Sequence, residues 1–236
     1  MKYINYKRIE KINLNKSNFY VAIDFDKTIT DASSNDSWEA SINELGEDFN
    51  KKFFELYQKY GALEFDYTKS FEERNIAMEK WYRESIKLYY EYDLTAEKLK
   101  KSISNSNLTF RSGAKDFLYN MYKNNIPVVI LSAGIGNVIE FFLRKNNCYF
   151  ENIYIISNFI PFDDNGNIRK SKGKLIHSLN KTMEGHTTLE LDEKIKDKKY
   201  RLLLGNLVED KQMVPVKEWN RTISIRFFRY KSRRKF

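Results

Sequence analysis

Two carboxylates lie two residues apart in Asp24-Phe25-Asp26-Lys27-Thr28, directly after an apolar run at 19–23. Anions this close repel, so a site holding both needs a proton or a cation to be stable. Mg²⁺, an oxygen-seeking ion that keeps several waters, meets that need. Such a pair suits phosphoryl transfer. Asp24 can attack phosphorus while the cation offsets repulsion between carboxylate and phosphate, and Asp26 can protonate the leaving oxygen and then activate water. Ser132, after a second apolar run at 127–131, offers a hydroxyl and nearby backbone N–H groups to a phosphate oxygen. Lys172, in Lys170-Ser171-Lys172-Gly173-Lys174, can supply a fixed cation to the phosphate and to Asp24. Each residue alone also fits an ordinary role: a solvated acidic turn, a helix-capping serine, a surface lysine. Their order along the chain, each at the exit of a strand or hairpin, is what joins them.

The elements that would position these residues follow from periodicity. The runs at 19–23, 127–131, 153–156, 201–204 and 222–228 are short, apolar and rich in β-branched or aromatic residues, as buried strands are. Between them, 113–124 and 137–145 read as helices, with shorter helices near 175–180 and from about 208. Asp163-Asp164-Asn165-Gly166-Asn167 signals a hairpin turn, and 181–199 is a charged stretch. Strands alternating with helices imply a mainly parallel sheet covered on both faces, with ligands bound beyond the carboxyl ends of its strands. Residues 33–106 differ in texture. Apolar positions recur three or four apart, as at Phe49, Phe53 and Leu56 or Met78, Trp81, Ile86 and Tyr89, which is the pattern of amphipathic helices. The expected organisation is therefore an α/β core from 1–32 and 107–236, with a helical cap at 33–106 inserted after the first core strand.

Composition excludes other chemistries. The chain of 236 residues has one cysteine, Cys148, and two histidines, His177 and His186, too few for a disulfide framework, a thiolate zinc cluster or a histidine-rich metal site. No apolar run approaches the roughly 18–20 residues of a membrane span, and no signal-peptide core follows the basic start, so a cytoplasmic location is expected. Forty-one Lys and Arg against 32 Asp and Glu give a formal charge of +9. Seven of those cations fall in 221–236, which has no acid, and subtracting them leaves +2 for the rest. Aromatics interleave with the basic residues there, as in single-stranded nucleic-acid binders. A short solvated basic tail explains the pattern as well, so a nucleic-acid partner is not expected.

The segments VAIDFDKTIT, VVILSAGIGNVIEFFL, IISNFIPFDDNGNIRKSKGKLIHSLNK and RLLLGNLVEDKQMV resemble the haloacid dehalogenase (HAD) superfamily. More narrowly they are similar to its cytosolic 5′-nucleotidase III (pyrimidine 5′-nucleotidase) family, over roughly 19–228 and including YGALEFD and MEKWY in the cap. The resemblance implies a Rossmann-like core, a helical cap, Mg²⁺ and a phospho-aspartyl intermediate. By matched position it makes Asp24 the nucleophile, Asp26 the general acid/base and Lys172 the stabilising cation. Thr28, Ser132, Ala133 and Gly134 would line the phosphate. Asp24, the Asp26 carbonyl, Asn206 and Asp210 would hold the metal, and Glu64 with Trp81 would contact the base. The expected substrate is a small phosphorylated molecule, a nucleotide by resemblance, handled by a monomer or a dimer.

Two departures qualify that pattern. Where the family reads G-D-x-x-x-D, this chain has Gly205-Asn206-Leu207-Val208-Glu209-Asp210, which removes one negative charge from the metal site and predicts weaker Mg²⁺ binding. Beyond 228 the chain lacks the further elements of the family, so the core reads as shortened there, with an exposed sheet edge whose basic residues oppose unwanted pairing. The leading expectation is a nucleoside 5′-monophosphate phosphatase. The alternatives are a HAD phosphatase for another small phosphate ester, or a non-catalytic relative that binds a phosphorylated ligand or RNA.

Overall fold

The computed structural model describes residues 15–170, 173–184 and 186–227. In chain order its elements are β1 (Phe19–Ile23), α1 (Glu47–Tyr60), α2 (Phe71–Glu91), α3 (Ala96–Ser104), α4 (Ala114–Lys123), β2 (Val128–Ile135), α5 (Gly136–Lys145), β3 (Ile153–Asn158), α6 (Leu189–Ile195), β4 (Tyr200–Gly205) and β5 (Thr222–Arg226). The strands form one parallel five-stranded sheet in the order β3-β2-β1-β4-β5.

All five residues of β1 are buried, as its position in the middle of a doubly covered sheet requires. Val21 and Ile23 face Leu118 of α4 and Ile139 and Phe142 of α5. Tyr20 and Ala22, pointing the other way, meet Ile176, Met183 and Leu191. Each such side chain contributes roughly 1.5–3 kcal/mol on leaving water, so the layers hold β1 in a fixed register: Val21 pairs with Val128 on one side and Leu202 on the other. The chain builds outward from β1 through β2 to β3, then returns to place β4 on the opposite flank of β1. Connections therefore leave β1 and β4 in opposite directions, which opens a crevice at their carboxyl ends.

Between β1 and α4 the chain runs through α1, α2 and α3 and contains no strand. The helix α2 begins at a capping box, with the Ser70 hydroxyl accepting from the Glu73 N–H and Glu73 accepting from the Ser70 N–H. Phe49, Leu88, Tyr89, Leu94, Leu99 and Ile103 form an apolar cluster with Ile135 and Val138, so this helical layer is seated on the carboxyl end of the sheet.

Five boundaries differ from the sequence expectation. The second strand, expected to end at 131, continues as β2 to Ile135, so Ser132 lies within it. No helix forms at 175–180. The Asn180 side chain accepts from the His177 N–H and donates to the Leu175 carbonyl, so a side chain satisfies groups that a helix would have paired. The helix expected from about 208 is a short 3-10 turn, Glu209–Met213, followed closely by Pro215. The charged stretch hides α6, started by the Thr188 cap. The last strand ends at Arg226, and the basic tail at 229–236 lies outside the described residues.

Candidate active site

Asp24 is the first residue after β1, with its N–H still bonded to Leu204 of β4. Its Oδ1 is 2.5 Å from Lys181 Nζ and its Oδ2 accepts from the Thr28 hydroxyl at 2.9 Å. Lys181 Nζ also donates to Asp210 Oδ1 at 2.8 Å. The three charged side chains are all nearly inaccessible, Lys181 at 5 %. Burial alone would discharge Lys181, but Asp24 and Asp210 outweigh it and raise its pKa, so the ammonium stays charged. Burial raises the Asp24 carboxyl; Lys181 opposes the rise and Asp210 adds to it. One buried cation thus serves two buried anions.

The turn after Asp24 is tight. Lys27 has φ +61°, its N–H bonds Thr30 Oγ1 at 2.8 Å, and Arg111 donates to the carbonyls of Lys27 and Thr28. A left-handed lysine is unfavourable on its own and persists because these bonds over-determine it. The turn sends Asp26 back toward the crevice, where both its oxygens are held by one residue: Ser37 N–H to Oδ1 at 2.8 Å and Ser37 Oγ to Oδ2 at 2.7 Å. Burial, reinforced by the nearby Asp36 and opposed by Ser37, pushes the Asp26 carboxyl up to about 7. A carboxyl poised near neutrality can both give and take a proton.

Within β2, four residues before α5 begins at Gly136, Ser132 Oγ accepts from the Gly134 N–H at 3.1 Å. Gly134 is required by packing. A Cβ there would sit 1.8 Å from Ser37 Oγ and 2.9 Å from Asp26 Oδ2. Asn158, at the end of β3, donates to the carbonyls of Ala133, Gly134 and Ile176, and so ties this loop to the segment that leads to Lys181. After β4, Asp210 Oδ2 accepts the N–H groups of Asn206 and Leu207, both at 2.8 Å, and Asn206 Nδ2 donates to the Asp26 carbonyl at 2.7 Å.

These groups form the floor of a cavity of about 560 Å³. Its roof comes from the helical layer and is largely aromatic: Trp38, Phe53, Tyr57, Phe65, Trp81 and Tyr82, with Glu64 among them. Trp38 stacks on Tyr89 and meets Tyr82 edge-on, while its Nε1 donates to the Ala133 carbonyl at 3.2 Å, joining roof to floor.

The cavity gathers Asp24, Asp26, Glu64, Trp81, Ser132, Ala133, Gly134, Asn206 and Asp210 from the sequence-predicted set. Thr28 is buried beneath Asp24 and bonds its carboxylate, so it positions that group. Lys172 lies outside the described residues, and the cation that touches Asp24 is Lys181. Sequence reasoning missed Lys181, Ser37, Trp38, Tyr82 and Asn158. Lys181 closes the KGKLIHSLNK run at the edge of the charged stretch, where a lysine reads as solvated.

Whether the residues fit Mg²⁺ can be judged from the donor set. Among the described residues no group of three or more His, Cys, Asp or Glu is suited to a metal. Asp210 accepts three bonds, one from Lys181 and two from backbone N–H groups, whereas each Asp24 oxygen accepts a single one, from Lys181 or Thr28. What remains is the Asp24 carboxylate, the Asp26 carbonyl and the Asn206 amide, all presenting oxygen once the Asn206 amide turns over from its present bond. Hard oxygen donors, few charges and an unbalanced buried anion fit an ion that keeps most of its waters.

A family model described as pyrimidine 5′-nucleotidase (UMPH-1) matches residues 32–235. The chain is 34% identical over 171 residues to the 7-methylguanosine phosphate-specific 5′-nucleotidase B of Xenopus laevis, covering 72% of this chain and 59% of that one. Against the mouse (Mus musculus) 7-methylguanosine phosphate-specific 5′-nucleotidase the figures are 30% over 169 residues, 72% and 56%. The chain thus spans less than two thirds of the length of these relatives. Among solved structures, cytosolic 5′-nucleotidase IIIB bound to cytidine superposes with a TM-score of 0.76 at 22% identity, over 90% of this chain and 76% of that one. A substrate-bound phosphoserine phosphatase gives 0.55 at 19%, over 89% and 87%. The fold is that of the HAD proteins.

Proposed function

The chain belongs to the pyrimidine 5′-nucleotidase (UMPH-1) family, and on that premise we propose that it hydrolyses a phosphomonoester, most specifically a nucleoside 5′-monophosphate, through Asp24. The observation that supports this most directly is the paired Asp24 and Lys181 on the floor of an aromatic-roofed cavity, with Asp26 and Ser132 beside them. A phosphate on the floor places a ribose and base against the roof, where stacking on flat side chains favours a nucleobase.

In the first step the Asp24 carboxylate attacks phosphorus, an oxygen–phosphorus bond forms, and the ester oxygen–phosphorus bond breaks. The departing alkoxide takes the proton of Asp26, whose pKa near 7 leaves it partly protonated at neutral pH. In the second step Asp26 removes a proton from water, the hydroxyl attacks phosphorus, and phosphate leaves as the Asp24 carboxylate is restored. Lys181 holds Asp24 in place and offsets charge on the phosphoryl oxygens, and Ser132 with the N–H groups before α5 binds those oxygens. Mg²⁺, held by Asp24, the Asp26 carbonyl and Asn206, would supply charge neutralisation between the carboxylate and the phosphate. In this reading 33–106 is the cap and 1–32 with 107–236 the core, and the cap excludes bulk water from the reacting groups.

The test is phosphate release with Mg²⁺ over a panel of nucleoside 5′-monophosphates (7-methylguanosine 5′-monophosphate included), sugar phosphates and an aryl phosphate, with Asp24→Asn as control. Release of phosphate from nucleotides, abolished by Asp24→Asn, is expected. Equal turnover of all esters would place the substrate in another class. No release from any would overturn the catalytic reading in favour of a binding protein, which the neutral Asn206 favours.

A further inference from the structure

We propose that Tyr67 and Glu209 form a latch that joins the roof to the floor and sets how long a nucleotide is held. The inference rests on the nucleotide reading above. Tyr67 lies between the 3-10 turn Gly61–Phe65, which carries Glu64 and Phe65 into the cavity, and the start of α2. Its ring is 67% exposed for the residue as a whole, yet its hydroxyl donates to Glu209 Oε1 at 3.0 Å across 142 positions of sequence. Glu209 directly precedes Asp210, whose carboxylate organises the loop of Asn206 and Leu207 and anchors Lys181. The bond therefore connects the turn that faces the base to the loop that faces the phosphate.

The Tyr67 side is stiffened from below. Arg74 on α2 is only 6% exposed, lies with its guanidinium 4.7 Å from the Tyr67 ring centre, and has no hydrogen-bond partner for its Nε. An arginine with so little water around it gains from an aromatic face, and in doing so it fixes an exposed tyrosine in the one direction that reaches Glu209. Trp38 to Ala133 and Glu79 beside His177 also bridge roof and floor, at segments other than the 61–65 turn. That turn is thus tied to the catalytic loop through Tyr67.

A hydrogen bond to a partly exposed carboxylate is a modest restraint, of a size that moves an equilibrium by about threefold to tenfold. The test combines Tyr67→Phe, which keeps the ring over Arg74 and removes only the hydroxyl, with Glu209→Ala, Glu209→Gln and the Tyr67→Phe/Glu209→Ala double variant. Amide hydrogen exchange in 61–70 should quicken about threefold to tenfold in Tyr67→Phe and in Glu209→Ala, and no further in the double variant. Glu209→Gln, which keeps an acceptor, should fall between. KM for a nucleoside monophosphate should rise by a similar factor with kcat kept or increased, while KM for a small aryl phosphate, which does not reach the 61–65 turn, stays put. Unchanged exchange in both single variants, or effects that simply add in the double variant, would overturn the latch. Because exchange is read without turnover, a wild-type protein that releases no phosphate would defeat the nucleotidase reading while leaving the latch to be judged by exchange alone.

Discussion

On the floor of the cavity Lys181 is clamped between Asp24 and Asp210 at hydrogen-bond distance, and nearly every polar atom around them is held by a named partner. The roof is assembled differently. Trp38, Phe53, Trp81 and Tyr82 meet one another through tilted and edge-on ring contacts, with few directional bonds. Charges buried this deeply must be paired and oriented to be tolerated, so the floor has little freedom to vary. Rings in tilted and edge-on contact lose little when they slide, so on the proposed function the roof can change its preference without endangering the chemistry. On the proposed function the molecule separates reaction from recognition, and substitutions in the two regions should fail in different ways.

The largest contrast is expected at the floor. Lys181→Met should lower kcat by about 10²–10³ for every ester, and should also destabilise the fold by about 3–5 kcal/mol, since it leaves two buried carboxylates without their cation. Lys172→Met should change kcat by no more than about twofold if Lys181 is the cation that acts on Asp24. Parallel kinetics and urea melts on the two variants check this. Equal losses in both would show that Lys181 does not carry the role its geometry gives it.

At the roof, Trp81→Ala should raise KM for nucleoside monophosphates by about tenfold, the loss of one aromatic contact, and leave aryl phosphate turnover alone. Steady-state constants for both substrates decide it; a drop in kcat shared by the two would merge the regions that the contacts divide. Asn206→Asp adds one carboxylate to the floor. It should lower the half-saturating Mg²⁺ concentration about tenfold, read by titrating Mg²⁺ against activity in both proteins. No change would show that charge at 206 does not tune the site.

A pH-dependent effect on stability is expected where roof and floor meet. Burial pushes His177 down to about 4, against an opposing pull from Glu79. The unfolded chain then takes up its proton first as pH falls, so the contribution of neutral His177 is complete above about 6.5 and erodes down to about 4. The loss is on the order of 2–3 kcal/mol. His177→Gln should flatten stability over that window in melts between pH 7.5 and pH 4.5, on the order of 3 units. A wild-type slope retained in the variant would assign it to other groups.

Much of this arrangement was legible in the sequence, because strands and helices announce themselves through periodicity. The runs that became β1, β2, β3 and β4, and the helical spacing through Met78, Trp81 and Tyr89, were enough for the parallel sheet and the helical layer over it. The acidic pair after β1 was legible for the same reason, since it sits where a strand must end; Ser132 was picked out as following a strand that ends at 131, whereas β2 runs on to Ile135. Lys181 was not. Its partners Asp24 and Asp210 are 157 and 29 positions away, and its approach runs through an irregular turn organised by Asn180, which carries no periodic signal. The same holds for Ser37, whose grip on Asp26 depends on the close approach that Gly134 permits. Local pattern locates elements; contacts that close over long separations depend on how the elements pack.

The central claim, that Asp24 receives the phosphoryl group, is tested most directly by acid-quenching the protein during turnover of a nucleotide with labelled phosphorus and mapping the label. The account predicts acid-stable, base-labile label on the peptide bearing Asp24, absent from Asp24→Asn and greatly reduced in Lys181→Met. Phosphate release that proceeds at full rate with no label on that peptide at any time, and persists in Asp24→Asn, would contradict it.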